Sequence, residues 1–474
     1  MKIKERFFWL ISLSLVISIA VFGYFTPGVK AADKPDNLIS KLNRVFHTLQ
    51  REYVEEDKVT IDNLITGAIR GMLKSLDDPH SVYLSPEDLQ HMRETVTDGT
   101  FGGVGMYISK KEQYIICISP IDDTPAKQAG IQAGDKIIKI DDNSAIDIEV
   151  DEAVKQLKGR PGTKVKVTVL RYNIEMDFTL TRAKITIPTT KHTMINNNIG
   201  YIRITQFTYP TVTDVKDVLK DFKKKKVKSI IVDLRYNPGG LLESVEKICD
   251  FFLSKGVIVS TKGRTPTKDS VYYANSFTTI VKDNVPIIVL IDKGSASASE
   301  IFAGAMKDTG RGILIGEKSY GKGSVQEIKQ LSAVDGYKLT IARYYTPADI
   351  SIDKVGIEPH IVIKDPELTD DDTSAIEQIM KNKLLDKFLE KKPDYTDNDF
   401  SKFKQELKGQ DIVLNDYYLK RLLYTKKNEI TNNRPIYNLE FDNQLQKAVE
   451  LLNNNKIVKT KNNSMYVIKD QADF

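Results

Sequence analysis

PIIVLIDKGSASASEIFAGAMKD, residues 286–308, sets a short apolar strand, a serine-rich turn and a helix in immediate succession. A strand that feeds a helix through a glycine-containing turn is the repeating piece of an α/β sheet, and in such sheets functional groups collect where loops leave the strand ends. The same texture recurs on both sides of this segment. IGYIRI (199–204), KSIIVDLR (228–235), GILIGE (312–317), KLTIARYY (338–345) and IEPHIVI (357–363) are β-rich and alternate with helical stretches. From Ala183 to about Asp365 the pattern therefore predicts an α/β sheet covered by helices.

Two strand ends carry chemistry. After IIVDLR comes Tyr236-Asn237-Pro238-Gly239-Gly240, and after PIIVLID comes the SASAS turn. Further on, a lone lysine stands between glycines in GKGSVQ (321–326). A serine hydroxyl is a poor nucleophile until a neighbour takes its proton. Only five histidines occur and none has the setting of a Ser-His-Asp relay, which leaves Lys322 as the candidate base. Spacing does not choose among Ser295, Ser297 and Ser299, although Ser297 stands at the start of the helix. The amides of Gly239 or Gly240, with that of Ala298 at the helix N-terminus, are candidate oxyanion donors. To act as a base near neutral pH a lysine must lose about 3 units from its reference pKa, roughly 4 kcal/mol of selective destabilisation of the ammonium, which apolar burial can supply. Gln326 lies four positions beyond Lys322, so on an extended strand both side chains share a face, where the amide oxygen can hold the amine.

Upstream, FGGVGMYI (101–108), a strand at 114–119, TPAKQAGIQAGDKIIKIDD (124–142), VDEAVKQLKG (150–159) and KVKVTVLR (164–171) follow one another. In this order they resemble a PDZ domain. Gly102, Gly103 and Gly105 permit a turn whose amides converge on a terminal carboxylate. A strand at 104–109, beginning with Val104, offers an edge for peptide addition. Val150, Val154 and Leu157 lie on one helical face, either as the opposite groove wall or as ordinary core.

The flanks set the context. Lys2, Lys4 and Arg6 precede an apolar run from Phe7 to Phe25, about the length that spans a bilayer, followed by a small-residue cleavage candidate at Val29-Lys30-Ala31. An anchor or a removed signal both place the remainder outside the cytoplasm, in a periplasm or cell envelope. From Asp33 to about Thr97, Leu38, Leu42, Val45, Phe46 and Leu49, then Ile61, Leu64, Ile65, Ile69 and Met72, predict two amphipathic helices. They either pack on the main body, the favoured reading, or form a dimerisation arm. From Leu368 the chain turns Lys/Asn/Asp-rich with helical stretches such as AIEQIMKNKLLDKFLEKK and LQKAVELLNNN, read as helical packing or an adaptor-docking segment. With 474 residues and 41% hydrophobic content the chain is globular and multidomain. Its 69 basic and 64 acidic residues are interspersed, which gives no footprint for nucleic acid. Cys117 and Cys249 fall in different predicted domains and read as buried thiols.

GSASASEIFAGAMKD followed by GEKSYGKGSVQ resembles the C-terminal processing, or tail-specific, serine peptidases, and the resemblance extends over roughly residues 40 to 365. It implies Ser297 as nucleophile, Lys322 as general base and Gln326 as its partner, with no metal or organic cofactor. It also implies a core of the crotonase and Clp-protease type, an inserted PDZ module that captures polypeptide C-terminal tails and gates the site, and cleavage near those tails. The organisation expected is 1–32 signal peptide or anchor, 33–97 helical region, 98–182 PDZ-like domain, 183–366 with part of 76–97 catalytic core, and 367–474 helical extension. A homodimer and an adaptor or lipoprotein partner are compatible with it. Arg160 and Arg171 are candidate contacts for a PDZ switch. Two departures stand out: Ala348-Asp349 where the family has a glycine after Tyr345-Thr346-Pro347, and His360, read as structural, where it has an aspartate. GEKSYGKGS falls short of a phosphate-binding loop because Gly323 occupies the position of the magnesium-binding hydroxyl. The other rival, a non-catalytic PDZ scaffold or chaperone-like adaptor, has no use for Ser297, Lys322 and Gln326 together.

Overall fold

The computed structural model describes residues 35–97, 99–121, 124–132, 134–171, 174–186, 188–364, 366, 368–431, 435–460 and 466–468; the apolar N-terminal run lies outside them. The chain divides into two units, residues 1–83 and 84–474. In the first, the two predicted amphipathic helices are Pro35–Glu52 and Ile61–Lys74, the second started by Thr60, whose hydroxyl accepts the Asn63 N–H. Leu42 and Met72, on their apolar stripes, remain 53% and 59% exposed.

In the second unit the expected α/β sheet has six strands. Thr190–Ile195 pairs antiparallel with Ile199–Ile204, and Ser229–Asp233, Ile287–Ile291, Ile313–Gly316 and Ile361–Val362 follow in parallel. Strands Ser229–Asp233 and Ile287–Ile291 are buried at every residue, which explains their continuous apolar runs. The helix Tyr209–Lys224 buries Val215, Val218, Leu219 and Phe222, a spacing that keeps one face inward. With Leu242–Asp250 and Ala298–Asp308 it supplies a core that includes Phe252 and Phe302, which meet edge to face.

KLTIARYY does not join this sheet. It lies in Gly336–Tyr345, which pairs antiparallel with Ser324–Gln330 and with Val257–Gly263, the latter carrying Ser270–Tyr273 as an edge. Most of its residues are only half-buried, a pattern distinct from the fully buried parallel strands.

The PDZ-like module hangs on a two-stranded neck, where the entering strand Thr100–Gly103 pairs antiparallel with the leaving strand Ala183–Thr186. Its sheet runs in the order Met106–Lys111, Tyr114–Pro120, Lys136–Ile140, Lys164–Arg171, Ile174–Thr181, which leaves Met106–Lys111 as an edge. That strand begins two residues later than the sequence suggested, because Gly105 at φ +76° turns the chain first. The helix Val150–Leu157 packs over it, and Arg182 donates to the carbonyls of Gln156 and Leu157 at the helix end. Cys117 is buried in this module's core and Cys249 in the main core.

The C-terminal region is two structures. Helices Asp370–Lys381, Leu384–Lys391, Asp397–Lys408 and Asp416–Ile430 share a core of their own. Beyond them, the helix Asn443–Asn453 and the pair Ile457–Lys459 and Tyr466–Ile468 cover the second face of the main sheet, with Leu445, Ala448, Ile457 and Tyr466 packed on Ile231, Ile288 and Ile315. This last segment is therefore core, a role its polar composition concealed. It is fastened by a buried ion network: Arg235 forks onto Asp233 at 2.9 and 2.6 Å and onto Asp442 at 2.8 and 2.7 Å, and the Tyr201 hydroxyl donates to Asp233 at 2.7 Å. Burial alone would raise the Asp233 pKa, but Arg235 overrides it and holds the carboxyl below its usual range. Removing one partner of such a pair leaves an uncompensated buried charge. Arg235→Ala is expected to cost about 3–5 kcal/mol, read as a lower urea midpoint; an unchanged midpoint would mean the network adds nothing to stability.

Candidate active site

The strand Ile287–Ile291 delivers Asp292, whose carboxylate Oδ1 accepts the amides of Gly294 and of Tyr236, each at 2.9 Å. One side chain thus ties both loops that the sequence marked as strand-end turns. Ser295 and Ser299 are fully buried, and their hydroxyls donate to Leu234 O and Asn237 O, each at 2.9 Å. Ser297 is partly exposed and caps the helix Ala298–Asp308 with φ 56° and ψ −113°. Such a conformation costs a non-glycine residue about 1–3 kcal/mol and persists only where surrounding contacts over-determine it. A serine on a strained strand-to-helix turn presents its hydroxyl outward, the geometry of an accessible nucleophile.

The over-determining contact is Glu300, a residue to which the sequence assigned no role. It is fully buried one helical turn after Ser297. Its Oε2 accepts the amides of Ser297 and Lys322, both at 2.8 Å, and its Oε1 accepts Ser319 Oγ and the Gly321 amide, both at 2.6 Å. Burial raises its pKa, and those four donors oppose the rise. Because one oxygen receives both amides, the backbone nitrogens of Ser297 and Lys322 lie within about two hydrogen-bond lengths of each other. The Lys322 loop is tight elsewhere too: a Cβ on Gly323 would fall 2.1 Å from the Asp353 nitrogen. Lys322 is half-buried, and its pKa is lowered, first by burial and then by the charge of Lys338, while Glu300 pulls it upward. The direction is the one a general base requires.

Behind Ser297 stands Asn237, also fully buried, which bonds Ile204 O through Nδ2 and accepts the Ala296 amide and the Ser299 hydroxyl on its carbonyl. Its Oδ1 takes the Gly239 amide at 2.9 Å, so the donor expected of Gly239 is already engaged. Gly239 matters instead through its α-carbon: at φ +105° a Cβ would lie 2.8 Å from Ser297 Cβ and 2.9 Å from the Ala298 nitrogen. The amides of Ala298 and Gly240 have no acceptor among the described residues and remain the candidate oxyanion donors.

Other expected residues are placed differently. Gln326 Nε2 donates to Ser324 Oγ at 2.7 Å, and among the described residues no hydrogen bond joins Lys322 Nζ to Gln326 or to Ser297 Oγ. The strand begins only at Ser324, and a register shift between Val325 and Gln326 breaks the alternation on which the shared face depended. Gly102 and Gly103 belong to the neck strand, with Gly102 pressed so close to Gly159 O that a Cβ would come within 2.2 Å. The turn that can receive a carboxylate is narrowed to Val104 and Gly105. On the groove helix Leu157 is buried in the module core, and Val154 is half-buried. Arg171 forks onto Asp135 at 2.6 Å, a structural clamp inside the module, and Arg160 serves its turn through its carbonyl, which accepts from Thr163. Asp349 adopts φ 61°, so it fills the glycine's conformation, which aspartate tolerates. His360 Nδ1 accepts the Leu314 amide at 2.9 Å, the structural role expected of it. Gly239→Ala should push the Ser297 turn out of place and lower kcat about 100-fold with the fold retained by circular dichroism; a fully active alanine variant would show that the turn tolerates displacement.

Three family models match the chain: peptidase family S41 over residues 198–363, the N-terminal domain of the activating protease CtpB over 26–88, and the PDZ domain over 95–170. A carboxy-terminal-processing protease of Bartonella bacilliformis is 41% identical over 336 residues, 69% of this chain and 75% of that protein. The carboxy-terminal processing protease CtpA of Bacillus subtilis is 34% identical over 374 residues, 77% of this chain and 79% of its own. Among solved structures, a photosystem II D1 C-terminal processing protease is similar at 26% identity and a TM-score of 0.43, covering 68% of this chain and 92% of that one. The Ser297 turn, the Lys322 loop and the PDZ module thus sit in a serine-type peptidase, and the chain belongs to the carboxy-terminal processing proteases of peptidase family S41.

Proposed function

We propose that this peptidase works outside the cytoplasm, captures protein C-terminal tails through its PDZ module and cleaves near them with a Ser297–Lys322 dyad. The observation that carries the dyad is the shared carboxylate of Glu300, which brings the amide of a partly exposed, strained serine and the amide of a lysine with lowered pKa to one oxygen. A tail adds to the edge strand Met106–Lys111, with its carboxylate at the amides of Val104 and Gly105. The rest of the tail threads to Ser297. Neutral Lys322 takes the hydroxyl proton, Ser297 Oγ attacks the scissile carbonyl, and the oxyanion rests on the amides of Ala298 and Gly240. The ammonium then protonates the leaving amine, and water activated by the same lysine hydrolyses the acyl-enzyme. Tail binding closes the Lys322–Ser297 hydrogen bond and brings Gln326 onto the amine. The parallel sheet order supports a core of the crotonase and Clp-protease type, and the basic, apolar N-terminal run supports export or anchoring. The exposed apolar stripes of the two N-terminal helices suit a homodimer, and the helices of 370–430 suit an adaptor or lipoprotein.

Ser297→Ala and Lys322→Ala should each abolish cleavage of unstructured proteins with apolar C-termini, followed by mass spectrometry, while tail binding persists. Binding without cleavage by the wild type as well would point to a scaffold. The pH dependence has a definite sign: activity rises as Lys322 loses its proton, and Lys338 lowers that pKa. Lys338→Met should therefore move the ascending limb of the kcat profile to higher pH, whereas an unmoved limb would mean another group titrates.

A further inference from the structure

Glu300 is a helix residue whose charged side chain is buried completely, yet among the described residues it forms no salt bridge. Four hydrogen-bond donors surround it, and they come from three places: the Ser297 turn, Ser319, and the two loop amides of Gly321 and Lys322. The Ser319 hydroxyl that donates to Glu300 also accepts the Ile357 amide at 2.6 Å, which extends the fastening to a third loop. A buried carboxylate is costly unless its lone pairs are filled, and here two donors reach each oxygen. We infer that Glu300 is the positioning residue of the active site: its carboxylate fixes the positive-φ turn of Ser297 and the loop of Lys322 on one rigid frame.

The inference rests on the Ser297–Lys322 chemistry above and gives it a mechanical cause. Two groups on separate loops must meet within a fraction of an ångström, and neither loop is long enough in regular structure to hold itself there. A carboxylate suits the task because it accepts from both sides without donating. An amide in its place would, in either orientation, turn its NH2 toward at least one backbone N–H group and lose that bond. The charge has a second effect. Glu300 raises the Lys322 pKa, against the lowering by burial and by Lys338, the other charged group that acts on that amine.

The test compares full-length wild type, Glu300→Gln and Ser319→Ala, the last removing one donor while leaving the carboxylate, so that a folded variant remains if the first fails to accumulate. Glu300→Gln should lower kcat about 100-fold with KM little changed, as expected for misplacement of reacting groups. Its residual activity should rise at lower pH than that of the wild type, because the anion no longer holds the Lys322 proton; a role in folding alone would leave that limb in place. Hydrogen exchange followed by mass spectrometry, which needs no turnover, should show faster exchange in peptides 293–301 and 317–324 and unchanged protection elsewhere. Ser319→Ala should show the same exchange pattern and a smaller loss of kcat. Folded Glu300→Gln with wild-type kcat, pH limb and exchange would overturn the inference. A wild type that cleaves no tail, with the exchange contrast intact, would instead overturn the dyad reading and leave the clamp standing.

Discussion

Filling the four acceptor positions of one buried carboxylate is the constraint around which this site is built. Glu300 cannot be stable where it is unless donors surround it, and the donors it draws in are the backbone of the nucleophile, the backbone of the lysine and the loop between them. The strain in the Ser297 turn and the burial of the carboxylate are each unfavourable alone. Together they offset one another, since the conformation that strains Ser297 is the one that aims its amide at Glu300.

The same logic works at the next layer. Asp292 binds the amides of Tyr236 and Gly294, and Asn237 binds Ala296 and Ser299, so two strand ends neighbouring in the sheet are sewn together by short side chains. Gly239 lets one loop lie against the other without a Cβ between them. One residue before Tyr236, Arg235 reaches Asp442 and fastens the C-terminal helix over the sheet's second face. Parts of the chain about 200 residues apart thus bear on one turn, with Gln444 Oε1 also near Gly316 at the end of its strand. Networks of this kind fail cooperatively, which suits a site that must be either assembled or not.

What the sequence made legible was whatever repeats or punctuates. Apolar runs marked the parallel strands, the order of glycine turn, strand and helix marked the PDZ module, and SASAS with GKGSVQ marked the two reacting loops. Glu300 was hidden because an acidic residue in the first turn of a helix is ordinary, and nothing in spacing reveals that the carboxylate faces inward. The only signal was its place at the third helical position after a serine, the pattern of a reciprocal cap. Helical packing was one of two readings of the C-terminal segment, and its depth in the core was hidden because Lys and Asn dominate the composition while Leu445, Ala448 and Val449 form a single narrow inward stripe. The placement of Gln326 was not legible, because a register shift intervenes where the spacing suggested an unbroken strand, and its amide holds Ser324 Oγ. Local periodicity carries no information about such long-range closures, and those closures are where function is decided.

In the dyad proposed for this peptidase, the unclosed contact between Lys322 and Ser297 bears on how indiscriminate cutting is avoided. Glu300 fixes backbones but leaves the lysine stem, with its four rotatable bonds, free to place the amine. On that proposal the expensive part of preorganisation, the two loops, is built into the fold, and the inexpensive part, one rotamer and the Gln326 amide, is left for the substrate to set. A tail that prefers the closed arrangement can shift the balance only by its differential affinity, and moving a minor state of one per cent to dominance takes about 3–5 kcal/mol, within reach of a bound peptide. The neck of Thr100–Gly103 and Ala183–Thr186 gives a tail held at the proposed turn a short mechanical route to the core, because Val104 adjoins the paired strands directly. Gating on this proposal needs no remodelling of the catalytic frame, only a new Lys322 rotamer and a change in which of two partners Gln326 holds.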